Sequence, residues 1–156
     1  AAPERGDIVI LFSPKDGTRL VKRVVAVPGD SVAMRANRLI VNGEPGAYGP
    51  LDPSIVAAID PAEQPRHRFA TERIGDRAHA VMFTPTKPAP RTFGPVTVPA
   101  DKFCVMGDNR DNSGDSRVFG FADRSLIVGH VTGVVLSLDP DHHYLPRWRR
   151  WFHGLK

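Results

Sequence analysis

The run Leu39-Ile40-Val41-Asn42-Gly43 constrains the fold more than any other part of this chain. Branched apolar residues suit a pleated strand. Asn-Gly is the dipeptide best able to adopt the two positive φ angles of a type I′ turn, so a β-hairpin is predicted there. The same grammar recurs along the sequence. Asp7 to Phe12 is an apolar, β-branched run that ends in a turn at Pro14 to Gly17. Leu20 to Val27 is a second strand, closed by Pro28-Gly29-Asp30, since proline cannot donate to a central ladder. Further strands are predicted at Ala78 to Phe83, Val96 to Val98, Phe103 to Met106, Ser125 to Val128 and Val131 to Leu138. The predicted fold class is therefore mainly β, built of twisted antiparallel sheets.

A chain of 156 residues is long enough for one domain, or for one domain with a sizeable insertion. Ten of the fifteen prolines fall between Pro45 and Pro99, which forces much of that region into loops. The expected division is a core from residues 1 to 41 and 97 to 145, with 42 to 96 as an inserted, smaller β-rich subdomain. A mobile loop is expected near residues 46 to 66. Residues 146 to 156 form a C-terminal amphipathic segment: Trp148, Trp151, Phe152 and Leu155 recur at helical spacing, while Arg147, Arg149 and Arg150 project elsewhere. That pattern suits either a membrane interface or docking on the β core.

Several function classes drop out. The formal charge of +4 comes from scattered basic residues with no Lys/Arg tail, so no nucleic-acid partner is expected. Cys104, the single cysteine, allows no intrachain disulfide and no multi-cysteine zinc site, and its apolar neighbours mark it as a small buried hydrophobe. His142-His143 beside Asp139 and Asp141 lacks the spacing of a tetrahedral site, and no metal or cofactor is expected. No stretch reaches the length of a membrane-spanning helix.

Chemistry concentrates in two segments. In Leu20 to Asp30, alternation puts Lys22 on one strand face with Leu20, Val24 and Ala26. An ammonium among apolar neighbours is poorly solvated, which favours the neutral amine a general base requires. From the strand alone, a snorkelling edge lysine is the better reading. The second segment, Met106 to Gly120, is dense in acidic, amide, arginine and serine side chains. Its spacing fails as a calcium loop: Arg110 holds the third position counted from Asp108, and Ser116 replaces the turn glycine counted from Asp111. Alternating Asp and Arg instead suit a self-satisfied network that keeps a loop rigid.

Together these segments resemble the type I signal peptidases, also called leader peptidases, a serine/lysine dyad protease family. The family's lysine motif corresponds to Lys22-Arg23 through Pro28-Gly29-Asp30. Its final motif is matched from Gly107 to Arg117 without a mismatch, and its Arg-Gly-Asp-Ile-Val strand is matched at Arg5 to Val9. The softest position is Phe119, where Trp or Tyr is commoner.

The resemblance implies a membrane-associated serine endopeptidase that removes signal peptides from exported preproteins. Its setting is the bacterial inner membrane, with the catalytic core on the periplasmic or extracytoplasmic side. Lys22 is the implied general base, and Ser113 the group that orients its amine. Asp115 and Arg117 are the implied ion pair supporting the loop, and Asp108 is expected to pair with Arg23. Val21 and Leu20 are expected to line the pocket for small substrate side chains, and Trp148, Trp151 and Phe152 to meet the lipid surface. The family's nucleophilic serine sits in a segment ahead of the Arg-Gly-Asp strand and is expected ahead of residue 1, which would leave residues 1 to 156 alone inactive. Ser13-Pro14 and Thr84-Pro85-Thr86 follow that strand and are expected to be turn residues. Two rivals remain: a specialised relative such as a pilin-processing peptidase or self-cleaving repressor, and a non-catalytic peptide-binding or membrane-binding β module.

Overall fold

The structure is a computed structural model that describes residues 2 to 134 and the backbone of 138 to 139, 145 to 146 and 153 to 154. The strands are β1 (Ile8–Phe12), β2 (Arg19–Ala26), β3 (Ser31–Arg35), β4 (Arg38–Val41), β5 (Glu44–Pro45) and β6 (Ala47–Gly49), with helix α1 (Pro53–Ala57) next. They continue as β7 (Arg68–Ile74), β8 (Arg77–Phe83), β9 (Phe93–Thr97) and β10 (Lys102–Met106), helix α2 (Ser116–Phe119), β11 (Ala122–Asp123) and β12 (Ile127–Val131). Three sheets carry the fold, ordered β11-β10-β2-β1-β12, β5-β4-β3-β9 and β6-β7-β8. All their pairings are antiparallel.

The predicted hairpin forms at Asn42 and Gly43, whose φ angles are 53° and 80°, and it joins β4 to β5. Asn42 also ties the hairpin back: its side-chain amide donates to Asp30 at 3.0 Å, and its carbonyl oxygen accepts from Ser31 N at 2.8 Å. Asp30 in turn accepts from Val27 N and from Arg5, so the Pro28-Gly29-Asp30 turn is a junction among β1's approach, β2 and β4.

The core lies on both faces of the first sheet. On one face, Val25, Ala26, Cys104 and Met106 pack against Val32 and Met34 of β3, Leu39 and Val41 of β4, and Ile74 of β7. On the other, Val9, Leu11, Val24, Phe103, Val105, Ala122 and Ile127 form a second cluster, with Leu20 and Phe119 packed on it. Simple alternation places Ala26 with Lys22 and Val24, and the structure corrects this. Cys104 pairs with Ala26 but Val105 pairs with Val24, so Val25 is an extra residue on β2. This β-bulge turns Ala26 to the opposite cluster while Val24 stays on the face of Lys22.

Other predicted elements shift. The segment 46 to 66, expected as loop, contains β6, α1 and a 3₁₀ turn at Gln64–Arg66. Helix α1 starts there because the Asp52 carboxylate accepts from Ser54 N and Pro53 suits the first turn. Ser125 lies in a 3₁₀ turn, Arg124–Leu126, and β12 begins only at Ile127. Strands β5 and β9 fall largely or wholly within residues 42 to 96 yet pair with β4 and β3, so the second sheet draws on both sides of the expected boundary. The third sheet belongs wholly to residues 47 to 83. Trp148, Trp151, Phe152, Leu155, Asp141, His142 and His143 lie outside the described residues.

Candidate active site

Strand β2 delivers Lys22 through its register with β1, where Lys22 pairs with Val9 and Leu20 with Leu11. Directly paired residues share a sheet face, so the amine emerges beside the apolar Val9, Leu11 and Val24 cluster. Lys22 Nζ donates to Ser113 Oγ at 2.9 Å across 91 residues of sequence. Burial pushes the ammonium below its ordinary value of 10.5 and Arg117 acts the same way, against the opposing pull of Asp115 and Asp108. The result is a half-buried lysine that holds its proton less tightly than a free one and whose amine is oriented by a serine hydroxyl. That is the chemistry of a general base.

Ser113 reaches Lys22 because Gly107 leaves room for it. A Cβ on Gly107 would stand 2.3 Å from Ser113 Oγ and 2.6 Å from Ser113 Cβ. Ser113 thus occupies the space that any other residue at 107 would fill. The Gly107 N–H donates to Asp115 Oδ2 at 3.0 Å, fixing the strand end against the loop.

Asp115 is fully buried, and Arg117 forks onto both of its oxygens, Nε at 2.9 Å and the terminal nitrogen at 2.7 Å. Burial raises the Asp115 carboxyl, but its contacts with Arg117, the Gly107 N–H and Ser113 together outweigh this and hold it below its ordinary value. Asp115 also caps α2 by accepting from Arg117 N. On the opposite face of β2, Arg23 forks onto Asp108 with two contacts of 2.9 Å and donates to Gly6 O. Charge-assisted bidentate pairs of this kind give geometric specificity as well as energy.

Of the two predicted pocket residues, Leu20 lies on the Lys22 face, packed against the second apolar cluster. Val21 pairs with Ile10, projects to the other face and is 58% exposed. The structure therefore puts Leu20 on the lysine's face of β2 and Val21 on the other. Ser13 is buried in the β1–β2 turn, where its hydroxyl accepts from Lys15 N, and buried Thr84 contacts His67 Nδ1 through its hydroxyl. Neither meets Lys22.

Sequence reasoning missed how the loop from 107 to 117 is anchored. Asp111 accepts from Asn37 in the β3–β4 turn at 2.8 Å, from Thr84 N at 2.9 Å and from Arg91 at 3.0 Å. Arg110, fully buried, forks onto fully buried Glu72 of β7 at 2.7 and 2.6 Å. Tyr48 OH donates to the same carboxylate and accepts from Leu39 N. His79 Nε2 lies 3.2 Å from Glu72, at an angle that makes no hydrogen bond. The backbone joins in: Arg110 N donates to Met82 O, and Met82 N to Asp108 O, both at 2.8 Å. The loop is thus pinned to all three sheets.

The scaffold is mainly β and presents a half-buried lysine hydrogen-bonded to a serine on a loop tied to all three sheets. The comparisons make this specific. Residues 1 to 136 match the family described as signal peptidase, peptidase S26. Signal peptidase I P of Bacillus subtilis subsp. natto is 35% identical over 144 residues, which cover 90% of this chain and 63% of that protein. Probable signal peptidase I-2 of Synechocystis sp. is 31% identical, over 83% of this chain and 46% of that one. A crystal structure of a signal peptidase I from Enterococcus faecalis V583 superposes with a TM-score of 0.51 and 29% identity, covering 85% of this chain and 98% of that chain. The chain belongs to the signal peptidase family. It spans 63% and 46% of the length of the two relatives named here.

Proposed function

We propose that this chain is the catalytic part of a membrane-associated serine endopeptidase that cleaves signal peptides from exported preproteins. The observation that carries the reading is the Lys22 Nζ to Ser113 Oγ contact of 2.9 Å at a half-buried amine. In the reaction, neutral Lys22 takes the proton of a serine hydroxyl as its oxygen attacks the scissile carbonyl. The resulting ammonium then protonates the leaving amine, and a water deprotonated by the same amine hydrolyses the acyl-enzyme. Ser113 keeps the amine aimed. Asp115 and Arg117 hold Ser113's loop, and Arg23 and Asp108 clamp its start to β2. The resemblance assigns the nucleophile to a segment ahead of Arg5.

Leu20, on the lysine's face of β2, supports a shallow apolar wall for the small substrate side chain. Among the described residues no helix is long and apolar enough to cross a membrane. Attachment at the extracytoplasmic face of the membrane, and contact with lipid through Trp148, Trp151 and Phe152, are part of the proposal.

The test is cleavage of a preprotein by the full-length protein that carries this sequence, with products read by mass spectrometry. Cleavage after alanine, lost when that alanine is replaced by a bulky residue, supports the proposal. Binding of the preprotein without any cleavage would favour the non-catalytic module.

A further inference from the structure

We propose that Glu72 and Arg110 are positioning residues for the Lys22–Ser113 pair, so that the β7–β8 hairpin is part of the catalytic apparatus. The inference rests on the protease reading above. Arg110 and Glu72 are both fully buried and joined by a two-pronged contact, and β7 lies 38 residues from Arg110 in sequence. The guanidinium does more than neutralise the carboxylate. Its Nε donates to Gly107 O at 3.2 Å, and Arg110 O accepts from Arg117 at 2.6 Å. Arg117 holds Asp115, Asp115 holds Gly107 N, and the missing side chain of Gly107 is what lets Ser113 stand at Lys22. Glu72 is therefore the outer end of a chain of charged, backbone and packing contacts whose inner end is the lysine amine.

A buried guanidinium without its carboxylate would have to leave the interior or move the loop. Hydration would then reach Lys22. Its amine is faced by Asp115 and Asp108, which favour the charged form, and by Arg117, which opposes it, and burial is the largest influence lowering its pKa. Glu72 itself is faced by Arg110, Tyr48 and His79.

Three variants of the full-length protein test this: Glu72→Gln, Arg110→Lys, and Glu72→Met combined with Arg110→Met. Arg110→Lys keeps a cation on Glu72 but cannot also reach Gly107 O. The double variant removes both charges together, a replacement that preserves folding in other buried pairs. The expected result is a kcat lower by about 10- to 100-fold, with KM little changed. The acid limb of the pH profile should move to higher pH, and the double variant should melt like the unsubstituted protein. Wild-type rate and limb in any folded variant would overturn the inference. So would losses that only track the unfolded fraction, since these mean a role in stability alone. No cleavage by the unsubstituted protein would overturn the protease reading and this inference with it.

Discussion

Replacing Gly107 by alanine tests the packing that brings Ser113 to Lys22. The new Cβ would lie 2.3 Å from Ser113 Oγ, short of the 3.4 Å of ordinary contact by about 1.1 Å. Gly107 has none of the positive φ that would itself penalise alanine, so the strain is steric and local. Ser113 has to retreat by roughly that amount, which stretches the 2.9 Å contact to Lys22 beyond hydrogen-bonding range. Overpacking of this kind costs about 1 to 3 kcal/mol. Misplacing a catalytic group by about 1 Å costs on the order of 100-fold in rate. Gly107→Ala should therefore lower the melting midpoint by circular dichroism and reduce kcat for a signal-peptide substrate about 100-fold. Adding Ser113→Gly removes the clashing atoms and should restore the melting midpoint without restoring the rate. A Gly107→Ala protein with native melting and full kcat would refute the steric account.

Two further outcomes follow from the same geometry. Ser113→Ala should leave the fold intact and lower kcat, because Lys22 loses the group that aims it; an unchanged rate would remove Ser113 from the mechanism. Burial alone would raise the Glu72 carboxyl, but its contacts with His79, Arg110 and Tyr48 bring it down from 4.5 to about 2. A depressed carboxyl stabilises the fold above its unfolded value and loses that contribution as pH falls through the folded one. Acidification from pH about 5 to pH about 2 should thus remove about 3 kcal/mol of stability through Glu72. Denaturant melts of Glu72→Gln over this range should show a flatter pH dependence, and an equally steep one would contradict the assignment.

What could be read from the sequence was local, and what could not was long-range. Asn42-Gly43 announces its turn because two positive φ angles are written into the dipeptide. The β3–β4 turn carries no such mark: Ala36 and Asn37 take φ of 48° and 65°, and Asn37 is tied to Asp111 from the distant loop. The bulge at Val25 is set by pairing with β10, a partner about 80 residues away that alternation along one strand does not reveal. Strand β7 escaped notice because Glu72 sits at a buried position where an apolar residue is expected. Its counter-ion Arg110 comes from the other motif-bearing half of the chain. The motifs pointed to Lys22 and Ser113 through family resemblance, whereas Gly107 as the space for Ser113 and Glu72 as the anchor of Arg110 required the folded contacts.

The central claim is that Lys22 acts as a neutral general base, and the pH dependence of kcat/KM tests it most directly. Burial lowers the lysine, so its neutral form accumulates as pH rises through a value below 10.5. Signal-peptide cleavage by the full-length protein should rise with pH along an acid limb centred below 10.5, and Lys22→Ala should abolish cleavage without changing the melting midpoint. Full activity in Lys22→Ala, with the limb unmoved, would contradict the account.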